Sequence, residues 1–443
     1  MKKFRKLVLT SVLTAVLISS GCGASAENLD HDNPVTLTMW HVYGEQAESP
    51  MNSLVEEFNN TVGREKGILI DVTAMSNAGE IGQQLLDAQD NRPGAGDMPD
   101  LFFCHPANAA ALGTDSLFDW KSCFSEDELS DFVPEFIREG TLDGKLTILP
   151  VSKSTLLLFL NGTQFARFSQ ETGVTPDHLA TWDGFYDTAE KYYKWSGGKP
   201  FCAFDYILLC LQLEAESDGS SVITQDGWFD LQNENFRRAY LRFARALAEG
   251  SVVISDQYSN TQIMTGEVLS GISSSAAILY YNDTVTYPDN TSEPLNLEVL
   301  PCPHATDGTW YATQAGVGLC ALSLKGRKAA AASVFAHWLT ESSRNLKFVT
   351  STGYMPVRSA AFQEISGYSF TNPSYAGLYS ALEKVRDTCI FKPEPSDSGF
   401  FDKTGIVYDE IKKRQTEWHE RFLRGEDADR LAEECWQITA AIH

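Results

Sequence analysis

Val35-Thr-Leu-Thr-Met-Trp40 alternates apolar and polar positions, the period of a strand with one buried face. Ile68 to Ala74 predicts a second strand, and Met98-Pro-Asp-Leu-Phe-Phe-Cys104 a third. Between them, Leu54, Val55 and Phe58 fall at helical spacing within Met51 to Phe58, and Ile81 to Ala88 also predicts a helix. Strand, helix, strand, helix, strand implies parallel βαβ units, hence an α/β lobe. Open sheets of this kind gather their binding groups at the carboxyl ends of the strands. That singles out Trp40-His41 and the stretch from Cys104 to Asn108.

The pattern changes at Gly144. Leu146 to Val151 predicts a short strand, Ser152-Lys-Ser-Thr155 is polar, and Leu156 to Leu160 is an unbroken apolar run bounded by Asn161-Gly162. Such a run suits a strand buried on both faces. A polar group between two buried strands fits either a hinge between two lobes or a hairpin with a polar turn. Glu126 to Gly140, ahead of it, predicts a helical connector. Beyond it the chain turns helix-rich: Trp182 to Trp195, Tyr206 to Glu214, Phe236 to Leu247, Ala329 to Leu339, Arg344 to Thr350, Tyr375 to Val385, Phe400 to Leu423 and Asp427 to Ile442. Leu297 to Pro301 and the Gly-rich stretch Ala315 to Leu322 predict further strands.

Leu149-Pro150-x-x-x-Ser154-Thr155-x-x-x-x-x-Asn161 resembles the first crossover of the extracellular solute-binding proteins of ABC importers, the carbohydrate-binding class in particular. Four further pieces occur in the family's order: Trp40-His41-x-x-Gly44-Glu45, Met98-Pro99-Asp100-Leu101, Ala315 to Leu322 followed by an Ala-rich helix, and Thr352-Gly-Tyr-Met-Pro-Val357. The resemblance implies a type II periplasmic-binding-protein-like fold, two hinged α/β lobes with a ligand cleft between them. It implies an N-terminal lobe of residues 35–149 with 313–350, and a C-terminal lobe of 150–312 with 351–443. It also implies a monomeric receptor that performs no reaction, needs no cofactor or metal, and passes a carbohydrate to a permease driven by a cytoplasmic ATPase.

The N-terminus adds a location. Met1-Lys-Lys-Phe-Arg-Lys6 is basic, and Leu7 to Ile18 is apolar but too short to span a bilayer comfortably, the form of a signal peptide. Two cleavages compete. Ser19-Ser20-Gly21-Cys22 resembles a lipobox with its aliphatic residue one place early, and Ala24-Ser-Ala26 is an ordinary signal-peptidase site. The lipobox reading is favoured: residues 1–22 form the signal and residues 23–34 a tether, with Cys22 acylated and the protein anchored outside the cell membrane. Either cleavage removes Lys2, Lys3, Arg5 and Lys6, taking the formal charge from −24 to −28. So acidic a chain is not a nucleic-acid binder. Eight cysteines remain; an exported protein could pair them, but their irregular spacing rules out a zinc cluster and leaves connectivity open. Cys104, Cys210 and Cys320 lie in apolar runs and read as buried thiols.

Catalytic patterns are weak. Gly316-x-Gly318-x-x-Ala321 lies inside a strand pattern, Gly271-Ile-Ser-Ser-Ser275 lacks the second glycine of a nucleophile elbow, and His419-Glu420 has no second histidine at zinc-ligand spacing. There is no Walker A motif. The alternatives to a transport receptor are an exported glycan hydrolase, recognisable by a cleft carboxylate pair with displaced pKa values, and a receptor for a sensor kinase. Sugar sites combine aromatic faces with polar side chains. Strand ends and the family resemblance nominate Trp40, His41, Ser154, Asp205, Tyr206, Ser275, Gly316 and Tyr354 as ligand-binding residues. Trp228 and Trp310 read as lobe packing. The glycerol-phosphate relatives use an acidic residue and an arginine where this chain has Pro106 and roughly Ser398 to Phe401, which favours a neutral sugar; Arg358 and Lys153 keep a phosphorylated ligand open.

Overall fold

The computed structural model describes residues 29–43, 49–75, 78–255, 258–395 and 398–442. Cys22 and both cleavage sites lie outside these residues, as do Gly44 and Glu45. Eleven strands organise the chain: β1 (Val35–His41), β2 (Ile68–Ala74), β3 (Leu101–Cys104), β4 (Leu156–Asn161), β5 (Cys202–Phe204), β6 (Val252–Ile254), β7 (Ser270–Ser274), β8 (Leu297–Pro301), β9 (Tyr311–Gln314), β10 (Gly318–Ala321) and β11 (Ile390–Pro393).

Two sheets carry the two lobes. The first has the order β10-β3-β1-β2, with β1, β2 and β3 parallel and β10 antiparallel at one edge. Helix Pro50–Phe58 follows β1 and helix Ala78–Gln89 follows β2, the βαβ units that the periodicity predicts. The Pro99-Asp100 motif has a clear use here. β1 and β3 are paired only at Met39–Leu101 and Trp40–Phe102. One rung further, Asp100 replaces the ladder: its carboxylate accepts from the Thr38 backbone N–H (3.1 Å), its own N–H donates to Thr38 Oγ1 (3.0 Å), and Lys328 Nζ neutralises it at 2.6 Å.

The second sheet has the order β8-β4-β7-β5-β6. β4 lies antiparallel between β8 and β7, and all six of its residues are buried, as a run without polar positions requires. β7, β5 and β6 are parallel, so their carboxyl ends share one edge. Helices Trp182–Trp195, Ile207–Ala215, Glu234–Ala248, Ser398–Leu423 and Ala428–Ala440 cover this lobe.

Three segments cross between the sheets and are stitched together by backbone bridges. Leu149 pairs with Leu319, Ser154 with Ala315, and Lys153 with Met355. Ser154 N–H donates to Ala315 O (3.0 Å), and Ala315 N–H returns to Ser154 O (2.9 Å). Asn345, fully buried, donates from Nδ2 to Val151 O (2.6 Å) and accepts from Val357 N–H (3.0 Å), tying the first crossing to the third. The polar quartet is therefore the middle of a crossing, not a hairpin turn. It does not lie open, however: Ser152, Lys153, Ser154 and Thr155 are all buried.

Three local expectations are corrected. Leu146 to Val151 is not one strand; Lys145–Leu146 forms a short strand in a hairpin with Thr141–Leu142, and the rest runs as the crossing, with Leu149 in a single bridge to Leu319. The Ala315 to Leu322 strand shortens to β10 because Ala315 to Val317 are spent on the second crossing. The Glu126 to Gly140 connector breaks into Glu126–Ser130 and Pro134–Gly140, since Pro134 lacks the N–H that a continuous helix needs. All eight described cysteines are free, with Cys104, Cys210 and Cys320 buried.

Candidate functional site

The carboxyl ends of β1 and β3 in one sheet, those of β5, β6 and β7 in the other, and the crossings supply the residues of one region. From the first sheet come Trp40, Tyr43 and His105, the N-cap of helix Pro106–Leu112. Tyr43 donates or accepts at Ser152 Oγ (2.9 Å), and its ring meets the edge of Tyr354 with centroids 6.0 Å apart. From the second sheet come Asp205 and Tyr206 after β5, Tyr258 after β6 and Ser275 after β7. Tyr206 and Tyr258 are exposed, at 38% and 63%. Tyr280, exposed at 52%, belongs to the same edge, its carbonyl 3.5 Å from Asn260 Nδ2.

Five of the nominated residues keep exposed surface. Tyr206 is the most open. Tyr354 is half-buried against Tyr43, and Trp40 is half-buried beside Phe102 and Cys104. Gly316 is half-buried with φ +103°, a left-handed value that favours glycine; a Cβ there would find its nearest neighbours at 3.8 and 3.9 Å, so space exists beside its backbone. Asp205 is half-buried but its carboxylate is occupied. Oδ1 accepts from Ser255 Oγ (2.6 Å) and Ser259 N–H (2.9 Å), and Oδ2 from Ser259 Oγ (3.1 Å). Burial raises its pKa while these donors pull it down. Asp205 holds the β5 and β6 loops together and positions Tyr206 and Tyr258.

Three nominated residues are enclosed. His41 has no exposed surface: Nε2 meets Asn52 Oδ1 (2.8 Å), Nδ1 accepts from Tyr43 N–H (3.2 Å), and burial lowers its pKa. It sets the path of the chain into Tyr43 and does not face ligand. Ser154 is 5% exposed and its backbone makes the Ala315 bridge. Ser275 is fully buried; its N–H donates to Thr155 O (2.8 Å), and its hydroxyl has no partner among the described residues. Trp228 packs on Phe229 and Phe400, and Trp310 stacks on His304 at 3.5 Å against an enclosed cavity of about 30 Å³, so both serve the lobe.

Charge on the floor of the region comes from residues that the motifs do not mark. Lys153, 1% exposed, is paired with Glu139 Oε2 and donates to Gly316 O at 3.1 Å. His105 is pushed down to about 4, by burial first and then by Lys153. Glu394, just past β11, is pushed up to about 7 by burial, against the pull of Lys153 and with Glu139 adding to the rise. Arg358 is occupied elsewhere: Nε donates to Thr340 O (2.7 Å), a terminal nitrogen to Glu128 O (3.2 Å), and the guanidinium lies 4.1 Å over the Phe132 ring. Among the described residues no cluster of His, Cys, Asp or Glu is arranged to hold a metal, and no helix is long and apolar enough to cross a membrane.

Solved structures share this architecture. The cyclic α-maltosyl-1,6-maltose binding protein of Arthrobacter globiformis matches at 18% identity and TM-score 0.67, over 92% of this chain and 99% of that one. UgpB of Mycobacterium tuberculosis, solved with glycerophosphocholine, matches at 16% and TM-score 0.66, over 92% and 98%. The maltotriose-binding protein of Thermus thermophilus matches at 17% and TM-score 0.58, over 91% and 99%. No curated protein sequence matches the chain. The family model described as bacterial extracellular solute-binding protein matches residues 53–372. Two sheets of this topology, three stitched crossings and that match over most of the chain place the protein in the bacterial extracellular solute-binding protein family.

Proposed function

We propose that this receptor captures a neutral carbohydrate by closure of its two lobes and delivers it to an ABC permease. The observation that carries the reading is the state of the two cations that would serve a phosphate. Lys153 is neutralised by Glu139, and Arg358 is spent on Thr340, Glu128 and Phe132. What the cleft offers instead is tyrosine, with Tyr206 and Tyr258 exposed after strand ends and Tyr280 exposed at the end of the helical turn after β7, a surface suited to sugar rings and hydroxyls. Structural neighbours that bind cyclic α-maltosyl-1,6-maltose and maltotriose support this choice, with the glycerophosphocholine-bound UgpB the counter-example that the screen below includes. We place residues 35–149 and 313–350 in one lobe and 150–312 and 351–443 in the other, the protein acting as a monomer anchored through acylated Cys22.

A second reading has one observation in its favour. A carboxyl raised to about 7 in a cleft is what a glycan hydrolase uses as its acid. The carboxylate beside it, Glu139, with 7% of its side chain exposed and Lys153 on it, cannot flank a glycosidic bond. Thermal-shift screening against maltose, maltotriose, other neutral sugars and glycerophosphocholine tests the binding reading. A sugar that raises the melting temperature, returns chemically unchanged and lowers the radius of gyration in small-angle scattering supports it. Stabilisation by glycerophosphocholine alone, or hydrolysed sugar, refutes it. Transport is tested by uptake of the labelled sugar in cells with and without the receptor. Anchoring is tested by mass spectrometry of the mature N-terminus; a chain beginning at Glu27 ends the lipoprotein reading.

A further inference from the structure

The first and second crossings bring two carboxylates to one buried lysine. Lys153 lies between helix Pro134–Gly140, which carries Glu139 in its last turn, and the second crossing, where it donates to Gly316 O. Strand β11 runs parallel to β9 with Gln314 opposite Pro393, so Glu394 leaves the ribbon at the next position, alongside Ala315 and Gly316. Lys153 and Glu139 face Glu394 from the crossing side, and Tyr206, at the end of β5 in the same lobe as Glu394, faces it as well. The two acids are not equivalent. Glu139 is ion-paired and nearly sealed. Glu394 is half-buried and, among the described residues, makes no hydrogen bond or ion pair. A half-buried carboxyl without a partner is costly unless something arrives to donate to it.

We propose that Glu139, Lys153 and Glu394 act as one unit on the cleft floor, in which Glu139 neutralises the lysine and Glu394 is left as the acceptor for a donor group of the bound molecule. On the carbohydrate reading, on which this rests, that donor is a sugar hydroxyl held between Glu394 and the ring of Tyr206. Burial keeps a proton on Glu394 in the empty cleft near neutral pH. The incoming hydroxyl takes the proton's place, and the proton passes to solvent.

Two arms test this. In the sugar-free wild-type protein, carbodiimide with glycine ethyl ester converts reachable carboxyls to amides, which peptide mass spectrometry reads residue by residue. Glu394 labels and Glu139 does not; a protected Glu394, or a labelled Glu139, overturns the assignment whatever the protein binds. In the second arm, the sugar that best stabilises the wild-type protein is titrated into Glu394→Gln. Affinity falls about tenfold to a hundredfold, the range for hydrogen bonds to a charged group, and the same sugar shields Glu394 from labelling in the wild type. Binding within twofold of wild type, or undiminished labelling, overturns the proposal. If no sugar in the panel binds, the carbohydrate reading fails and the labelling arm still decides the unit on its own.

Discussion

Replacing Lys153 with methionine separates the two jobs of that side chain. The substitution keeps length and apolar volume but strands Glu139 as a buried charge and removes the donor from Gly316 O. Breaking a buried pair from one side costs about 3–5 kcal/mol, because the surviving charge has neither partner nor water. For a slope near 3 kcal/mol/M, the urea midpoint falls by about 1–2 M with the slope unchanged. Lys153→Met with Glu139→Leu removes both charges, and replacing a whole buried pair by apolar groups is close to neutral. The double variant therefore recovers most of the loss. Tryptophan fluorescence during urea unfolding measures all three proteins. If Lys153→Met unfolds within about 1 kcal/mol of wild type, or the double variant is no more stable than the single, the pair is not a buried unit and the description of the cleft floor is wrong.

Tyr206→Ala removes an exposed ring, so binding of a stabilising sugar weakens by about 1–3 kcal/mol in calorimetry while the sugar-free melting temperature stays near wild type. Gly316→Ala meets no close atom but forces φ +103° on a residue with Cβ, costing about 1–2 kcal/mol in urea unfolding. For pH, the Glu394 carboxyl sits at about 7 in the fold, above its unfolded value. Its stabilising contribution is complete below the unfolded value and is lost as pH rises to about 7. Wild type thus loses about 1–2 kcal/mol relative to Glu394→Gln across that window, the figure reduced because half-burial leaves the group partly screened. Urea melts at a series of pH values read the difference.

Much of the first lobe was legible because its strands are long enough to show a period. Val35 to Trp40 alternates, Ile68 to Ala74 is a strand over those same residues, and helix Trp182–Trp195 in the other lobe runs between the expected ends. The second lobe hid three of its five strands. Cys202–Phe204 and Val252–Ile254 have three residues each, too short for any period, and Ser270–Ser274 is written in serine and glycine, which read as loop. Missing them had a consequence for the site: Tyr258 follows β6, so without that strand nothing drew attention to it. Strand-end position nominated Tyr206, which is exposed. It also nominated His41, whose ring nitrogens are both occupied inside the lobe, since the rule gives the edge of the sheet and not the direction of the side chain. Glu394 lies far along the chain from Glu139 and Lys153, and the fold brings the three together.

The polar quartet Ser152 to Thr155 fits a hinge or a polar turn by sequence; in the structure it is buried, and its polar groups tie the crossings together. Ser152 binds Tyr43, Lys153 binds Glu139 and Gly316, and Thr155 meets Thr313 Oγ1 at 3.3 Å. Segments joined this way rotate together, so lobe movement must be taken up where backbone is both permissive and uncrowded. Two glycines of positive φ sit at the crossings. Gly353 is confined, with a Cβ position 2.4 Å from Ile278 Cγ2 and 2.8 Å from Ser275 O. Gly316 has nothing nearer than 3.8 Å. Of the two, Gly316 is the less crowded at the Cβ position. It is also the residue whose carbonyl Lys153 holds. A turn at Gly316 therefore shifts the lysine, and with it the charge that Glu394 faces, so that lobe position and the character of the cleft floor are coupled through one peptide.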